Sequence, residues 1–405
     1  MIFNRSFPNP TESIGSEVVT IDCHKKPKWK RGERCWLATG PAQTIYEGFD
    51  YELNHVLKNH CSESPGKKAL FHTVYMIGRE ESSAVPVLVS VCSSEPFARE
   101  AENIVKKHGL LDSYEGFTTA LMNRLPTGKL VLLATDGDSS SKDENQSDIA
   151  DAVYYDSKQS VRAIAMPILV GNPDGGLNGL RKATANLTRG WQYATVAHVF
   201  RQSASHDAED EGWDSDDDCN ITTEVEATLE RYDSREAIKD NDDGSASLVG
   251  LGNLTDMNKY ADWATINIVD SSIDDAVRRN IYLGKEPRVA MWSVPRQGNV
   301  EILTSRGVVN GSIESTIPLN ARFYNLSHFQ RLYQFQHNEY LQPGDCGSLV
   351  VDAAEKQIYG QLIAGSQNRN TAFMLPAFSM PKILDFAEFL TRMEHGMHDF
   401  PWGSM

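Results

Sequence analysis

The amino-acid sequence predicts a mainly β protein in two parts, a smaller α/β region at residues 1–135 and a larger β region at residues 153–405. Two observations predict this class. The chain has 405 residues, more than one typical domain holds. From Val153 onward, short runs with strand periodicity are separated by Gly, Pro, Asn and Asp, which is typical of a barrel or a sandwich.

The N-terminal region carries alternating strand and helix signals. Apolar runs predict strands at residues 71–78, 85–92 and 129–134, and apolar positions with helical spacing predict a helix at 96–108. Residues 1–67 show no comparable pattern. Cys92 ends the second strand, and we interpret it as a small buried apolar residue rather than a nucleophile.

Two polar segments interrupt the pattern. Residues 136–152 have the low-complexity composition of a linker, and the second segment is an acidic insertion at residues 206–245. Eight of the twelve residues at 207–218 are Asp or Glu, and such a run repels itself and resists packing. The acids lack a regular ligand spacing, so we favour an unpacked insertion over a metal site.

Apolar runs predict the strands of the β region. These lie at residues 166–170, 191–196, 248–252, 264–269, 289–294 and 300–304.

One loop motif points to nucleophilic chemistry. Gly344-Asp345-Cys346-Gly347 precedes an apolar strand, and glycines on both flanks allow the sharp turn that brings backbone amides to a substrate carbonyl. His198 follows one predicted strand and Asp262 opens another. A thiol becomes a strong nucleophile when a base ionises it, and a carboxylate can orient that base. We expect Cys346, His198 and Asp262 to converge.

Each of these residues also has a plain structural interpretation. Cys346 would be a buried cysteine in a tight turn, His198 a core histidine and Asp262 a helix or strand cap. Ser348 is an alternative nucleophile, although it lies two residues late in the loop. Asp345 is expected to be buried behind the loop and to hold the turn by an ion pair or hydrogen bonds.

The three segments together resemble the chymotrypsin-like proteases, in which histidine, aspartate and nucleophile follow in this order. The resemblance implies a double β-barrel for residues 153–405 and an oxyanion hole made by the N–H groups of Gly344 and Cys346. It also implies a C-terminal helix at 379–397 and a substrate pocket, with Tyr340 at its floor and the other three residues on its walls: Ala364, Gly365 and Thr371. No acid occupies the floor position, although Glu339 is adjacent, so a neutral or apolar P1 residue is expected.

The chain is most similar to intracellular fungal trypsin-like proteins that carry a Gly-Asp-(Ser or Cys)-Gly-Ser motif after an N-terminal α/β segment. This resemblance implies an intracellular cysteine endopeptidase that cleaves a protein partner in a regulatory or cell-death pathway. The alternative is an inactive protease-fold scaffold that binds a protein partner through its N-terminal region.

Composition narrows the remaining function classes. The net charge of −16 argues against nucleic acid and anionic membranes as partners. The sequence contains no signal-peptide pattern and no apolar run of membrane-spanning length, and its six cysteines form no CxxC pair or disulfide framework. We therefore expect a cytoplasmic protein with reduced cysteines, no cofactor, no metal, and a protein or peptide substrate.

Overall fold

The structure is a computed structural model that describes part of the chain in interpretable detail. The described residues are 9–18, 33–62, 69–92, 94–123, 125–126, 130–132, 152–171, 180–188, 192–200, 248–258, 262–269, 271–283, 285, 287, 289–322, 329–342, 344–366 and 370–380. None of the helices in these ranges is both long enough and apolar enough to cross a membrane.

Three helices and twenty strands make up the described part. The helices are α1 (Gly40–His60), α2 (Glu95–Lys107) and α3 (Ser271–Tyr282). The strands are β1 (Ile14–Glu17), β2 (Arg34–Ala38), β3 (Leu70–Gly78), β4 (Val85–Val91), β5 (Thr118–Met122), β6 (Leu130–Leu132), β7 (Ala152–Asp156), β8 (Met166–Val170), β9 (Arg181–Leu187), β10 (Gln192–Thr195), β11 (Leu248–Asn258), β12 (Trp263–Ile268), β13 (Ala290–Trp292), β14 (Gly298–Thr304), β15 (Gly307–Ile313), β16 (Leu319–Arg322), β17 (Gln330–His337), β18 (Leu349–Asp352), β19 (Gln357–Ser366) and β20 (Thr371–Pro376).

Two closed barrels form the β region. The first barrel closes in the order β10-β12-β11-β7-β8-β9. The second closes because β14 pairs with β15 and β18, β17 pairs with β15 and β20, and β19 pairs with β18 and β20. Its interior is filled by buried side chains that include Ile302, Phe335, Val350 and Leu362. These barrels confirm the predicted mainly β, chymotrypsin-like double-barrel class.

The N-terminal region is an α/β unit whose sheet continues into the second barrel. Buried residues of α1 recur every three or four positions, at Tyr46, Phe49, Leu53 and Leu57, so one face of the helix packs on the sheet. β3 pairs with β4 along most of its length, and on its other edge its last residues pair with β2 and its first residues with β16 of the following region. The division at residues 135 and 153 therefore remains a prediction, since strands of both parts share one sheet.

Most predicted strands of the described ranges are confirmed, with small shifts at their ends. The prediction at 166–170 matches β8, and that at 129–134 is realised as the shorter β6. Ala152, predicted as linker, begins β7. Cys92 is buried in the helix-side core, as expected of a small apolar residue.

Other predictions meet a different result or lie beyond the described part. Ser379, the expected start of the C-terminal helix, ends the short 3₁₀ helix Ala377–Ser379, and residues 381–405 lie outside the described residues. The acidic insertion at 206–245 also lies outside them. The sequence interpretation missed α1 and α3.

Candidate active site

His198 lies in a buried corner at the end of a strand of the first barrel. β10 ends at Thr195, and the chain turns at once into the 3₁₀ helix Ala197–Phe200. Val199 and Phe200 are completely buried, so apolar packing fixes this turn. The side chain of His198 is 10% exposed.

Asp262 holds His198 by two hydrogen bonds. It lies just before β12, which pairs with β10 so that Thr195 is opposite Ala264. Its φ of +48° is in the left-handed region, which aspartate tolerates better than most residues. Oδ1 accepts a hydrogen bond from the backbone N–H of His198 at 2.9 Å, and Oδ2 accepts one from Nδ1 at 2.7 Å. This contact orients the ring and assigns a proton to Nδ1.

The electrostatic surroundings keep His198 charged at neutral pH. Burial would lower the pKa of His198, but the Asp262 carboxylate and the Cys346 side chain outweigh burial and raise that pKa from 6.5 to about 10. A protonated imidazole favours the thiolate form of a neighbouring cysteine.

The thiol of Cys346 is enclosed in this arrangement. Cys346 has no exposed surface, and its Sγ donates a hydrogen bond to the backbone carbonyl of Ile363 at 2.9 Å. Nε2 of His198 is buried and makes no well-formed hydrogen bond within the described part of the chain. Catalytic hydrogen bonds are often loose without substrate, and the Cys346 side chain is nevertheless among the groups that raise the pKa of His198.

The two flanking glycines of the nucleophile loop are required by its backbone. Gly344 and Gly347 have φ values of +100° and +96°, which side chains other than glycine rarely adopt. A Cβ at Gly347 would lie 1.9 Å from the carbonyl oxygen of Thr184 in β9. The loop therefore approaches the first barrel as closely as backbone atoms allow.

Hydrogen bonds from β9 fix the loop against the first barrel. The N–H of Thr184 donates to the carbonyl of Cys346 at 2.7 Å, and its hydroxyl donates to the carbonyl of Gly344 at 3.0 Å. The side-chain amide of Asn186 donates to the carbonyl of Gly347 at 2.7 Å. These bonds connect the nucleophile loop, which leads into β18 of the second barrel, to the barrel that carries His198.

Asp345 is buried behind the loop and holds its turn, as predicted. Its side chain is 3% exposed, and Oδ2 accepts hydrogen bonds at 2.7 Å from both Arg306 and the backbone N–H of Gln342. Arg306 also donates to the carbonyl of Tyr340 at 3.2 Å. The arginine thus joins the β14–β15 turn of the second barrel to both ends of the loop.

The amides of the loop divide into two groups. The amide of Asp345 donates to the carbonyl of Gln342 at 3.0 Å. The amide of Gly347 donates to the carbonyl of Leu362 at 2.8 Å, and the amide of Ser348 donates to the carbonyl of Asp345 at 3.1 Å. The amide of Gly344 donates to no described residue. Its assignment, with the amide of Cys346, to an oxyanion hole stays a prediction.

The predicted pocket residues fall into two places. Ala364 and Gly365 lie in β19, paired with Phe373 and Ala372 of β20, and Thr371 begins β20; all three are buried. Tyr340 follows β17, and 54% of its surface is exposed. The three β19–β20 residues lie on adjacent strands, and the assignment of all four residues to a substrate pocket stays a prediction. Ser348 is buried, and its Oγ has no hydrogen-bond partner in the described ranges.

Sequence reasoning missed the residues that position the loop. Arg306, Thr184 and Asn186 lie in strands or turns far along the chain, and no local pattern marks them. Arg306 lies in the tight β14–β15 turn, in which Thr304 pairs with Gly307. The carboxylate that it contacts belongs to Asp345, which is remote in sequence and becomes its neighbour only in the fold.

Comparison with known proteins finds similarity only to solved structures, at low sequence identity. No protein-family model and no curated protein matches the chain. Among solved structures, the chain is similar to the active form of the Rv3671c protease from M. tuberculosis at 14% identity and a TM-score of 0.32, over 58% of this chain and 82% of that one. It is similar to Cellulomonas bogoriensis chymotrypsin at 16% identity and a TM-score of 0.28, over 53% and 92%.

A third similar structure is a catalytically inactive tobacco etch virus protease complexed with substrate, at 11% identity and a TM-score of 0.25, over 63% of this chain and 87% of that one. All three are proteases. Because identities and TM-scores are low, the fold assignment rests on the closed strand orders above, and the function must be argued from the site.

Proposed function

We propose that this chain is a cysteine endopeptidase in which Cys346 is the nucleophile, His198 carries the proton and Asp262 orients His198. The observation that carries the proposal is the two-point contact of Asp262 with His198, combined with the raised pKa that the carboxylate and Cys346 give to that ring. A charged imidazole next to a thiol is the arrangement that thiolate chemistry requires.

The reaction follows from these groups. The thiolate of Cys346 attacks the carbonyl carbon of the substrate, the C=O π electrons move to oxygen, and the amides of Gly344 and Cys346 stabilise the negative oxygen. The intermediate collapses, the C–N bond breaks, and His198 gives its proton to the leaving amine. A water then transfers a proton to neutral His198 and attacks the thioester. Collapse releases the carboxylic acid and restores the thiolate–imidazolium pair.

The substrate of the proposed enzyme is a peptide or protein segment with a neutral or apolar P1 side chain. No acidic residue lies among the predicted wall positions Ala364, Gly365 and Thr371, so a Lys or Arg side chain would have no counter-charge there. We also propose a cytoplasmic protein that acts on a protein partner in a regulatory or cell-death pathway and binds partners through residues 1–135.

One observation favours the second candidate function, a protease-fold scaffold without activity. Cys346 has no exposed surface, and its thiol donates a hydrogen bond to the backbone carbonyl of Ile363. A scaffold would keep the fold and bind partners without requiring the thiol to react.

Parallel screening of a peptide library separates the two candidates. Wild type should cleave peptides, Cys346→Ala should fall to background, and Cys346→Ser should lose most activity because the hydroxyl does not ionise at neutral pH. All three variants should fold with similar melting temperatures. A wild type that neither cleaves any peptide nor reacts with a peptidyl electrophile, even with the thiol made accessible, would favour the scaffold.

A further inference from the structure

The edge of β19 that faces Cys346 is occupied by two different strands. Along this strand, residues Ile358 to Gln361 pair with β18, which begins directly after the nucleophile loop. Further along the chain, Ala364, Gly365 and Ser366 pair with β6. The opposite edge of β19 is filled by β20 from Gly360 to Gly365, so β6 and β18 share one edge.

The nucleophile lies in the interval between these two strands. Leu362 exchanges backbone hydrogen bonds with the loop, since its carbonyl accepts from Gly347 at 2.8 Å and its N–H donates to Ser348 at 2.8 Å. The carbonyl of Ile363 accepts the bond from Cys346 Sγ. A strand that pairs with Ala364 to Ser366 therefore lies next to the reactive sulfur.

The direction of β6 leads toward that sulfur. The pairing is antiparallel, with Leu130 opposite Ser366, Val131 opposite Gly365 and Leu132 opposite Ala364. Read from its N-terminus to its C-terminus, β6 runs along β19 toward Ile363. Any extended peptide that continues this register by one or two residues has its backbone level with Ile363 and Leu362, and hence with Cys346.

An exposed strand edge recognises extended peptides by main-chain hydrogen bonds, with side-chain pockets adding specificity. Such an edge binds one strand at a time, because each backbone N–H donates to one ladder partner and each C=O accepts from one. With β6 in place, residues Ala364 to Ser366 are unavailable to another chain. The complete burial of Cys346 agrees with an occupied edge.

We propose that β6 is an internal occupant of the substrate-binding edge, so that the enzyme cleaves peptides more slowly until β6 leaves β19. This inference rests on the proposed peptidase function. Because β6 belongs to the same chain, its effective concentration is high, and a partner that binds the N-terminal region can control its release.

The test measures access to the thiol rather than catalysis. Full-length wild type, a Val131→Pro/Leu132→Pro variant and a Val131→Thr control are treated with iodoacetamide, and alkylation of Cys346 is followed by peptide mass spectrometry. Proline removes ladder N–H groups, whereas threonine keeps them and suits a strand. Cys35, buried in β2, provides the internal reference in the same digest.

The ratio of alkylation rates, Cys346 to Cys35, is the measured quantity. We expect the proline variant to raise this ratio at least tenfold and the threonine variant to change it less than twofold. A general loosening of the fold would speed both cysteines and leave the ratio unchanged. An unchanged ratio in the proline variant overturns the inference.

The two proposals fail in different ways. If the ratio rises but the proline variant cleaves no peptide, β6 covers the thiol and the peptidase function is wrong. If wild type already cleaves peptides as fast as the proline variant, the peptidase function stands and β6 is not inhibitory.

Discussion

The nucleophile loop and the junction between the N-terminal sheet and the second barrel use the same residue types in different ways. Each has a buried aspartate paired with a partly exposed arginine, Asp345 with Arg306 at the loop and Asp50 with Arg331 at the junction. In both pairs the carboxylate side chain is 3% exposed, and the arginines are 43% and 39% exposed.

Each place also has a buried histidine, and here they differ. Near His198, Asp262 is devoted to the ring and raises its pKa to about 10. Near His72, Asp50 is engaged by Arg331 and Asn320, and neither ring nitrogen has a hydrogen-bond partner among the described residues. Burial lowers the pKa of His72 to about 4, against a smaller opposing effect of Asp50. A carboxylate in direct contact thus decides whether a buried histidine is charged or neutral.

The largest expected effect comes from removing the carboxylate that contacts His198, so that this ring, like that of His72, has no direct carboxylate partner. In the proline variant that displaces β6, Asp262→Asn should lower kcat/KM by about 10⁴-fold, because the ring loses its orientation and the charge that keeps it protonated. Asparagine tolerates the left-handed backbone at this position, so the fold should survive. The pKa of His198 followed by NMR should fall strongly. If Asp262→Asn leaves the cleavage rate of the proline variant unchanged, Asp262 is only a cap.

The pKa of His198 also gives a stability profile. Because the pKa is raised in the folded state, the stability that the charge confers is complete below about pH 6.5 and is lost as the pH rises through about 10. Asp262→Asn should flatten this alkaline loss in urea unfolding measured between pH 7 and pH 10.

The second prediction concerns the close approach of the nucleophile loop to the first barrel. Gly347→Ala should lower the free energy of unfolding by about 3 to 5 kcal/mol, because the added Cβ meets the Thr184 carbonyl and the φ is unfavourable. Gly250→Ala is the control, since nothing lies within 4 Å of its Cβ position. Equal, small losses in urea unfolding would contradict the tight docking of the loop.

At the junction, His72 should make the protein sensitive to acid. Its lowered pKa means that the stability from the neutral ring is complete above about pH 6.5 and is lost as the pH falls toward 4, up to about 3 kcal/mol in total. His72→Leu should remove this part of the acid loss in unfolding curves at pH 7.5 and 4.5. His55→Gln, at an exposed position of α1, should keep the wild-type profile. The prediction is wrong if all three profiles coincide.

The smallest expected effect compares the two arginines directly. Arg306→Met and Arg331→Met each leave a buried carboxylate without its cation, and each should cost about 1 to 3 kcal/mol of unfolding free energy. Only Arg306→Met should also slow peptide cleavage, because Arg306 holds the nucleophile loop. Similar effects of both variants on cleavage would show that the loss reflects stability alone.

The sequence carried enough information for the class of fold and for the candidate residues. Apolar runs located β3, β4, β8 and β12 to within a few residues. β8 alternates between buried and half-buried positions, whereas β3 and β4 are buried on both faces and therefore appear as continuous apolar runs. The left-handed turns at Gly344 and Gly347 were signalled by glycine itself. The order of His198, Asp262 and Cys346 gave their convergence as a hypothesis.

Helix α1 was missed although its sequence carries apolar residues at helical spacing. Its buried residues have helical spacing, yet Gly48 in its interior lowers the local helix propensity, and tertiary packing of the apolar face compensates. The positioning contacts of Arg306, Thr184 and Asn186 left no trace, because each joins residues distant in sequence through backbone carbonyls or a single carboxylate.

The sequence by itself determined which residues can be buried, where the backbone must turn and which side chains have reactive chemistry, since these properties are local. Only the tertiary structure decided that Asp262 contacts His198, that Asp50 makes no hydrogen bond to His72, and that β6 pairs with β19 at residues 364–366. Charge interactions and strand pairing depend on distances between segments remote in the chain, and those distances exist only after the barrels close.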